Sequence, residues 1–583
     1  MELEEYWGIG PKTREVLEAS IGTEVAIEAI ESGDVRALVE AGVDRSRVTR
    51  VLRHAHSAEG MALLATGDAR VVYKELLETI AAHAVSEAAA DRLRTLTPLT
   101  ERDEMDARLD AVERGRDGWK LLGDDSRTAV FDAFERYDES PDGRLAAVEA
   151  AVDLARLDAS AAVFEPIDRL DTDALAEAAV ALGALGDDRI ASGADDELDR
   201  LRDVRETVDR RAANTDAVLD ELRSGGVDDT AAFREGLVEL LGGQTTIDPS
   251  RVRSAMARDA VDAAGFVSET LRALRSDLDG SIDRRSDEVR AELESAIETA
   301  GEDVDRARPA VTRVARELSL GRFAAAYDLE RPTYIDGDGL AVVGARNLSI
   351  LDGGGEVQPI TYAVGDHGVD APAGERVTVL TGANSGGKTT LLETLCEVAI
   401  LAHMGLPVAA ETAEISTLDR LVFHRRHASF NAGVLESTLQ SVVPPLVSGD
   451  RTLMLVDEFE AITEPGRAAD LLGGLVRLTI TEGAIGTFVT HLANDLEPLP
   501  ETARIDGIFA KGLTDDLELE VDYQPRFGAV GRSTPEFIVS RLVANADDRA
   551  EEAGFRTLAK AVNTEVVQRT LSDAEWTALA SDQ

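Results

Sequence analysis

Arg376-Val377-Thr378-Val379-Leu380 is a short apolar run that leads into Gly382-Ala383-Asn384-Ser385-Gly386-Gly387-Lys388-Thr389-Thr390, after which Leu391-Leu392-Glu393 opens a helix. The pattern G-x-x-x-x-G-K-[ST], set between a strand and a helix, predicts a phosphate cradle. Glycines let backbone N–H groups wrap phosphates, and the helix N-terminus adds its dipole. Lys388 then reaches the terminal phosphates and Thr389 offers a hydroxyl to Mg²⁺. The expected cofactors are ATP and Mg²⁺, with Gly382, Asn384, Ser385, Gly386, Gly387, Lys388, Thr389 and Thr390 binding the nucleotide.

Further along, Thr452-Leu453-Met454-Leu455-Val456 reads as a buried strand ending in Asp457-Glu458. A carboxylate at the end of a strand beside the P-loop suits the magnesium shell, and a second one suits the attacking water. Asp457 is therefore the expected metal ligand and Glu458 the general base. A third run, Gly486-Thr487-Phe488-Val489-Thr490, ends in His491, where it could sense the terminal phosphate. Taken alone, a satisfied structural histidine would be the better reading there; with the two other motifs in order, His491 joins Glu458 and Lys388 as a catalytic candidate. The expected fold of this region is an α/β P-loop NTPase.

Upstream, the sequence is helix-rich from about residue 69 to 318, after an expected linker at 57–67. Leu201, Val204, Val208, Thr215, Leu219 and Leu222 recur at helical spacing, and so do Val267, Leu271, Leu274, Leu278, Ile282, Val289, Leu293 and Ile297. One reading is an antiparallel pair of long arms with a small tip at about 225–265. A compact bundle is the other reading of the same pattern.

Residues 1–57 read as short helices broken by glycine turns. Gly8-Ile9-Gly10-Pro11-Lys12-Thr13 precedes one helical run, and Ala41-Gly42-Val43-Asp44-Arg45-Ser46 precedes another. This resembles a tandem helix-hairpin-helix module, which binds duplex phosphates through backbone N–H groups without reading bases. The second hairpin has only Gly42. Gly8, Gly10, Lys12, Arg45, Arg47 and Arg50 are the candidate DNA contacts; a small protein-docking domain with solvated arginines is the alternative.

With 583 residues the chain exceeds a single hydrophobic core, so several domains are expected. No apolar run of about 18 residues occurs, and the first residues read as neither a signal nor a transit peptide; a cytoplasmic protein without membrane contact is expected. Cys396 is the only cysteine, which leaves no intramolecular disulfide or thiolate cluster. The net charge is −50, with six lysines against 55 arginines. That balance resembles proteins of salt-in halophiles. At molar salt the Debye length is only about 3 Å, so acidity does not exclude a DNA partner.

Together these residues resemble the MutS ATPases of DNA repair. Gly382–Thr389 looks like the family's G-P-N-x-G-G-K-[ST] loop, with Ala383 in place of proline. Leu455-Val456-Asp457-Glu458 followed by Thr463-Glu464-Pro465-Gly466 resembles its D-E-x-G-x-G-T block, although Phe459-Glu460-Ala461-Ile462 lacks the glycines, and Thr490-His491 matches the terminal T-H. Ser429-Phe430 and Glu436 look like the S-T-F-x-x-E segment, with Ala428 where its first serine stands. The resemblance covers about residues 70–545 and is strongest after 320.

The resemblance implies an ABC-type, MutS-like ATPase domain at 319–545, a lever and clamp core at 69–318, and a helical tail at 546–583. It favours the arms reading over the bundle. It further implies a homodimer in which a residue of the signature segment, Ser429 or one of Arg425 and Arg426, completes the partner's nucleotide site. No room is expected for a mismatch-reading domain, so the implied function is an ATP-dependent clamp on double-stranded or branched, recombining DNA, with a nuclease or repair partner unspecified. The alternatives are a ribosome-associated ATPase acting on stalled ribosomes and a mismatch-recognition protein.

Overall fold

The computed structural model describes residues 3–562 apart from 7, 34, 141–142, 158–160, 186–188, 225–229, 246, 259, 383–386, 427–431, 449–450, 460–464, 497, 514–518, 532–538, 540–541, 544–545 and 547–548. Two units emerge: residues 1–131, 159–163 and 313–583 form one, and residues 132–158 and 164–312 the other. Residues 69–131, expected with the helical core, thus fall in the unit that holds the sheets. Among the described residues no helix is long and apolar enough to cross a membrane.

The strands are β1 (Thr333–Ile335), β2 (Gly339–Ala345), β3 (Ile360–Gly365), β4 (Val377–Gly382), β5 (Thr412–Ser416), β6 (Arg420–His424), β7 (Thr452–Asp457), β8 (Ile485–Val489), β9 (Ala503–Leu513) and β10 (Leu519–Phe527). Six make one sheet in the order β10-β9-β4-β8-β7-β6, and four make a smaller one in the order β1-β5-β2-β3. Within the larger sheet β9, β4, β8, β7 and β6 run parallel, and β10 is antiparallel to β9. Every residue of β4, β7 and β8 is buried. That burial explains why these strands read as unbroken apolar runs rather than alternating ones, since a parallel sheet is covered on both faces.

One expectation about neighbours is corrected here. The strand ending in Asp457 does not lie beside the P-loop strand: β8 is inserted between β4 and β7. Leu380 and Asp457 each pair with Val489, so all three strands finish at one edge. Ligands of open parallel sheets sit at that carboxyl edge. The helix Lys388–His403 starts there and is apolar on nearly all sides, as a helix packed in the interior must be.

The stretch 57–67 is not a linker either. Leu421 N–H donates to Leu63 O at 2.7 Å, and Ala65 N–H donates to Leu421 O at 3.1 Å. The Thr66 hydroxyl bonds Phe423 O at 2.6 Å and accepts from Phe423 N–H at 3.1 Å. β6 is an edge strand, and an edge has unpaired backbone groups that need partners; residues 63–66 supply them.

In the other unit, the helix Asp196–Ala212 packs against the helix Ala263–Thr299, which is 37 residues long and so rises about 56 Å. Asp195 pairs with Arg285, Arg205 with Asp279 and Asp209 with Arg275. One partner number climbs as the other falls, so the two helices are antiparallel. Leu201, Val204, Val208, Leu271, Leu274 and Leu278, six of the residues whose spacing predicted long helices, are buried in one cluster. That cluster continues into the short helices Thr215–Ser224, Thr230–Thr245 and Pro249–Ala255 through Leu219, Leu237, Leu241 and Val252. Gly242 and Gly243 lie inside a helix.

Candidate nucleotide site and hairpin surface

The carboxyl edge of the larger sheet gathers the described motif residues. Lys388, only 3% exposed, donates from Nζ to Gly382 O at 3.0 Å, so the ammonium already rests on its own loop. Thr389 Oγ1 donates to Asp457 Oδ2 at 2.7 Å. His491 Nε2 lies 2.9 Å from Glu458 Oε1. Lys388, Thr389, Asp457, Glu458 and His491 are thus brought together from three strand ends. Ala383, Asn384, Ser385, Gly386 and Ser429 lie outside the described residues.

Asp457 and Glu458 are held differently. Asp457 is 1% exposed, and burial raises its pKa, with the Thr389 hydroxyl offsetting part of the rise. Its Oδ1 is buried and makes no hydrogen bond of ordinary geometry among the described residues, although the Arg426 backbone N–H lies close enough to the carboxylate to lower its pKa slightly. Buried polar atoms are normally satisfied, so a free carboxylate oxygen beside a threonine hydroxyl fits a hard cation with oxygen ligands. Glu458 is held below the ordinary carboxylate range, chiefly by its hydrogen bond to His491. Its φ is +38°, left-handed for a non-glycine residue. Glu458 N–H donates to Val489 O at 3.0 Å, which fixes that turn.

Lys388, Thr389, Thr390 and Glu458 line a cavity of about 410 Å³ whose other wall is Asn347, Ile350, Val357, Ile360 and Tyr523. Asn347 caps the short helix Leu348–Asp352, and Glu397 from the P-loop helix accepts from Leu348 N–H at 2.8 Å and Ser349 N–H at 3.2 Å. The wall is mixed, since Glu356 and Gln358 also line it, but Ile350, Val357, Ile360 and Tyr523 give it the apolar surface on which a nucleobase can pack, and the sequence motifs did not reveal it. Its residues come from three separated segments with no spacing signature. Arg426, read as one of the possible trans residues, instead places Nη1 2.6 Å from Glu458 Oε2 of its own chain.

At the N-terminus, the helix Pro11–Ser20 follows Gly8-Ile9-Gly10, and the helix Arg45–His56 follows Gly42-Val43. The two turns are reciprocal. Gly8 has φ +86° and a Cβ there would stand 3.3 Å from Val51; Gly42 has φ +97° and its Cβ would stand 3.4 Å from Val16. Each turn therefore packs against the other's helix, and Ile9, Leu17, Val43, Val51 and Leu52 share one core. Arg47 donates to Gly8 O at 3.4 Å, which puts it on the first turn. Lys12, Arg47 and Arg50 are exposed. Arg45 is instead paired with Asp91 at 2.9 Å, and Arg53 donates to Arg94 O at 2.7 Å while lying over Tyr73. The helix Arg45–His56 thus has one face turned to the residues that follow it in the chain.

Over 218 residues the chain is 44% identical to a Pyrococcus furiosus protein named DNA-binding protein MutS2, a stretch covering 37% of this chain and 38% of that protein. The likeness is to MutS proteins. A Natronomonas pharaonis protein named DNA mismatch repair protein MutS is 26% identical over 561 residues, covering 88% of this chain and 62% of its own length. A Gemmatimonas aurantiaca protein named endonuclease MutS2 is 28% identical over 41% of this chain and 29% of itself. The chain thus spans between 29% and 62% of the length of these relatives. No protein-family model matches it.

Proposed function

We propose that the chain is a MutS-family ATPase that uses ATP to gate a homodimeric clamp on double-stranded or branched DNA. The observation that carries the reading is the buried constellation at one sheet edge: Lys388 on its loop, Thr389 on Asp457, and Glu458 on His491. Lys388 leaves Gly382 O to hold the terminal phosphates. Thr389 and Asp457 would hold Mg²⁺, which would supply neutralisation of the phosphate charge. Glu458 takes the proton of the attacking water, and His491 fixes the carboxylate and keeps it ionised. Glu458 combines a left-handed φ with a side chain that lines the cavity.

DNA as partner is supported by the names of the relatives and by the paired hairpin turns, with Gly8, Gly10, Lys12, Arg47 and Arg50 as the phosphate-facing set and Arg45 turned to Asp91. The mismatch-repair reading is favoured by one observation, the 88% of this chain aligned with the Natronomonas MutS protein. Gel-shift binding to duplex, mismatched, Y-shaped and four-way DNA in molar potassium chloride, with and without ATP, separates the two. Tightest binding to branched DNA that changes with ATP is expected. Preference for mismatched duplex would give the second reading, and no DNA binding at all would end both.

A further inference from the structure

Arg426 follows β6 by two residues, and Glu458 follows β7 by one; the strands are parallel neighbours. Arg426 occupies Glu458 Oε2 at 2.6 Å while His491 occupies Oε1 at 2.9 Å. Each oxygen has a neighbour: His491 hydrogen-bonds Oε1 and the Arg426 guanidinium forms an ion pair at Oε2. A carboxylate oxygen keeps a second lone pair, but a general base needs one aimed at the water it deprotonates, and a guanidinium on Oε2 competes with that water for the carboxylate, which makes it a partial cap. The cap is held lightly: the Arg426 side chain is 54% exposed, and solvent screens such a pair. Glu458 also lines the same cavity as Lys388 and Thr389, so phosphates cradled there lie next to the group that Arg426 already touches.

We propose that Arg426 senses the terminal phosphate in its own chain: without that phosphate it caps Glu458, and with a nucleoside triphosphate in the cradle its guanidinium moves to the terminal phosphate and uncaps the carboxylate. The inference rests on the ATPase reading above. The planar guanidinium fork matches phosphate oxygens in pairs, and a phosphate has more negative charge than the carboxylate it replaces. Hydrolysis then forms the bond from the water oxygen to the terminal phosphorus and breaks the bridging P–O bond. The diphosphate leaves, and the water's proton passes to Glu458. The order matters, because a base uncapped only by the triphosphate leaves the diphosphate state at rest.

The test compares binding of fluorescent (mant-labelled) ADP and AMP-PNP to the full-length chain, as wild type, Arg426→Ala and Arg426→Lys, with turnover measured in parallel. Arg426→Ala should lose roughly tenfold or more of its AMP-PNP affinity, the weight of a charge-assisted hydrogen bond, while its ADP affinity stays unchanged. Arg426→Lys should retain part of the preference. An unchanged AMP-PNP to ADP ratio in Arg426→Ala, with faster turnover, would reduce Arg426 to a simple brake and overturn the proposal. Wild type that binds neither nucleotide would instead overturn the ATPase reading itself.

Discussion

The nucleotide cavity and the hairpin turns are both built from glycine loops at helix starts, yet they manage charge in opposite ways. In the cavity Lys388, Asp457 and Glu458 are 3%, 1% and 7% exposed. Charges taken out of water persist only when they hold one another or a ligand, and here each has a named partner. At the turns Lys12, Arg47 and Arg50 are exposed. They cost nothing to keep there, so their position alone says little about what they bind. A buried charged constellation is therefore strong structural support for chemistry, and an exposed one becomes so only through experiment.

The sharpest way to break this contrast is at Lys388. Lys388→Ala should lower ATP affinity by at least about 100-fold, since several charge-assisted hydrogen bonds of roughly 1.5–3 kcal/mol each are lost. Glu458→Gln should separate binding from chemistry. Its nucleotide affinity should persist, because Thr389 and Asp457 are untouched, while turnover falls by about 10²–10⁴-fold. Equal loss of binding in both variants would show that Glu458 shapes the cradle and is not its base.

At the turns the expected effects are smaller and of another kind. Arg47→Ala and Arg50→Ala should each weaken DNA binding several-fold regardless of sequence, and each should reduce the salt slope by about one. ATP turnover without DNA should not change. Arg45→Ala should matter less, because its guanidinium is paired with Asp91 at 2.9 Å. If Arg45→Ala weakened DNA binding as much as Arg47→Ala, the phosphate-facing surface would have to extend to the Asp91 side of the helix.

What could be read in advance follows the same divide. Lys388, Asp457-Glu458 and Thr490-His491 could be placed at strand and helix ends in advance because short apolar runs that stop at polar residues mark where buried strands finish; their part in phosphate chemistry belongs to the proposal. The insertion of β8 between β4 and β7 was not, because sequence order does not give strand order. Residues 63–66 looked like linker since their role, covering the edge of β6, depends on a strand more than 350 positions away. The wall of Asn347, Ile350 and Tyr523 was hidden for a similar reason. Leu201, Leu271 and their repeats gave the paired helices correctly, whereas the break between Ala212 and Thr215 followed no proline or glycine signal.

The smallest expected effect concerns pH, and it falls again on the buried side of the contrast. His403 closes the P-loop helix with Nδ1 2.7 Å from Ala399 O and Nε2 accepting Leu418 N–H at 2.8 Å. Accepting at Nε2 requires the neutral ring, and burial pushes its pKa down to about 4 from the usual 6.5. Between those values the unfolded chain binds a proton that the folded chain refuses. The stability contributed by His403 is thus fully present above pH 6.5 and is lost as pH falls towards 4, by up to about 1.4 kcal/mol per pH unit. His403→Gln should flatten the drop in unfolding midpoint between pH 6.5 and 5.5. His54 in the hairpin module is shifted in the same direction, by partial burial first and then by Arg70 and Arg50. Because its burial is shallower, His54→Gln should flatten the drop less. An equal or larger flattening at His54 would mean that the hairpin module, and not the nucleotide unit, sets the acid limit of the fold.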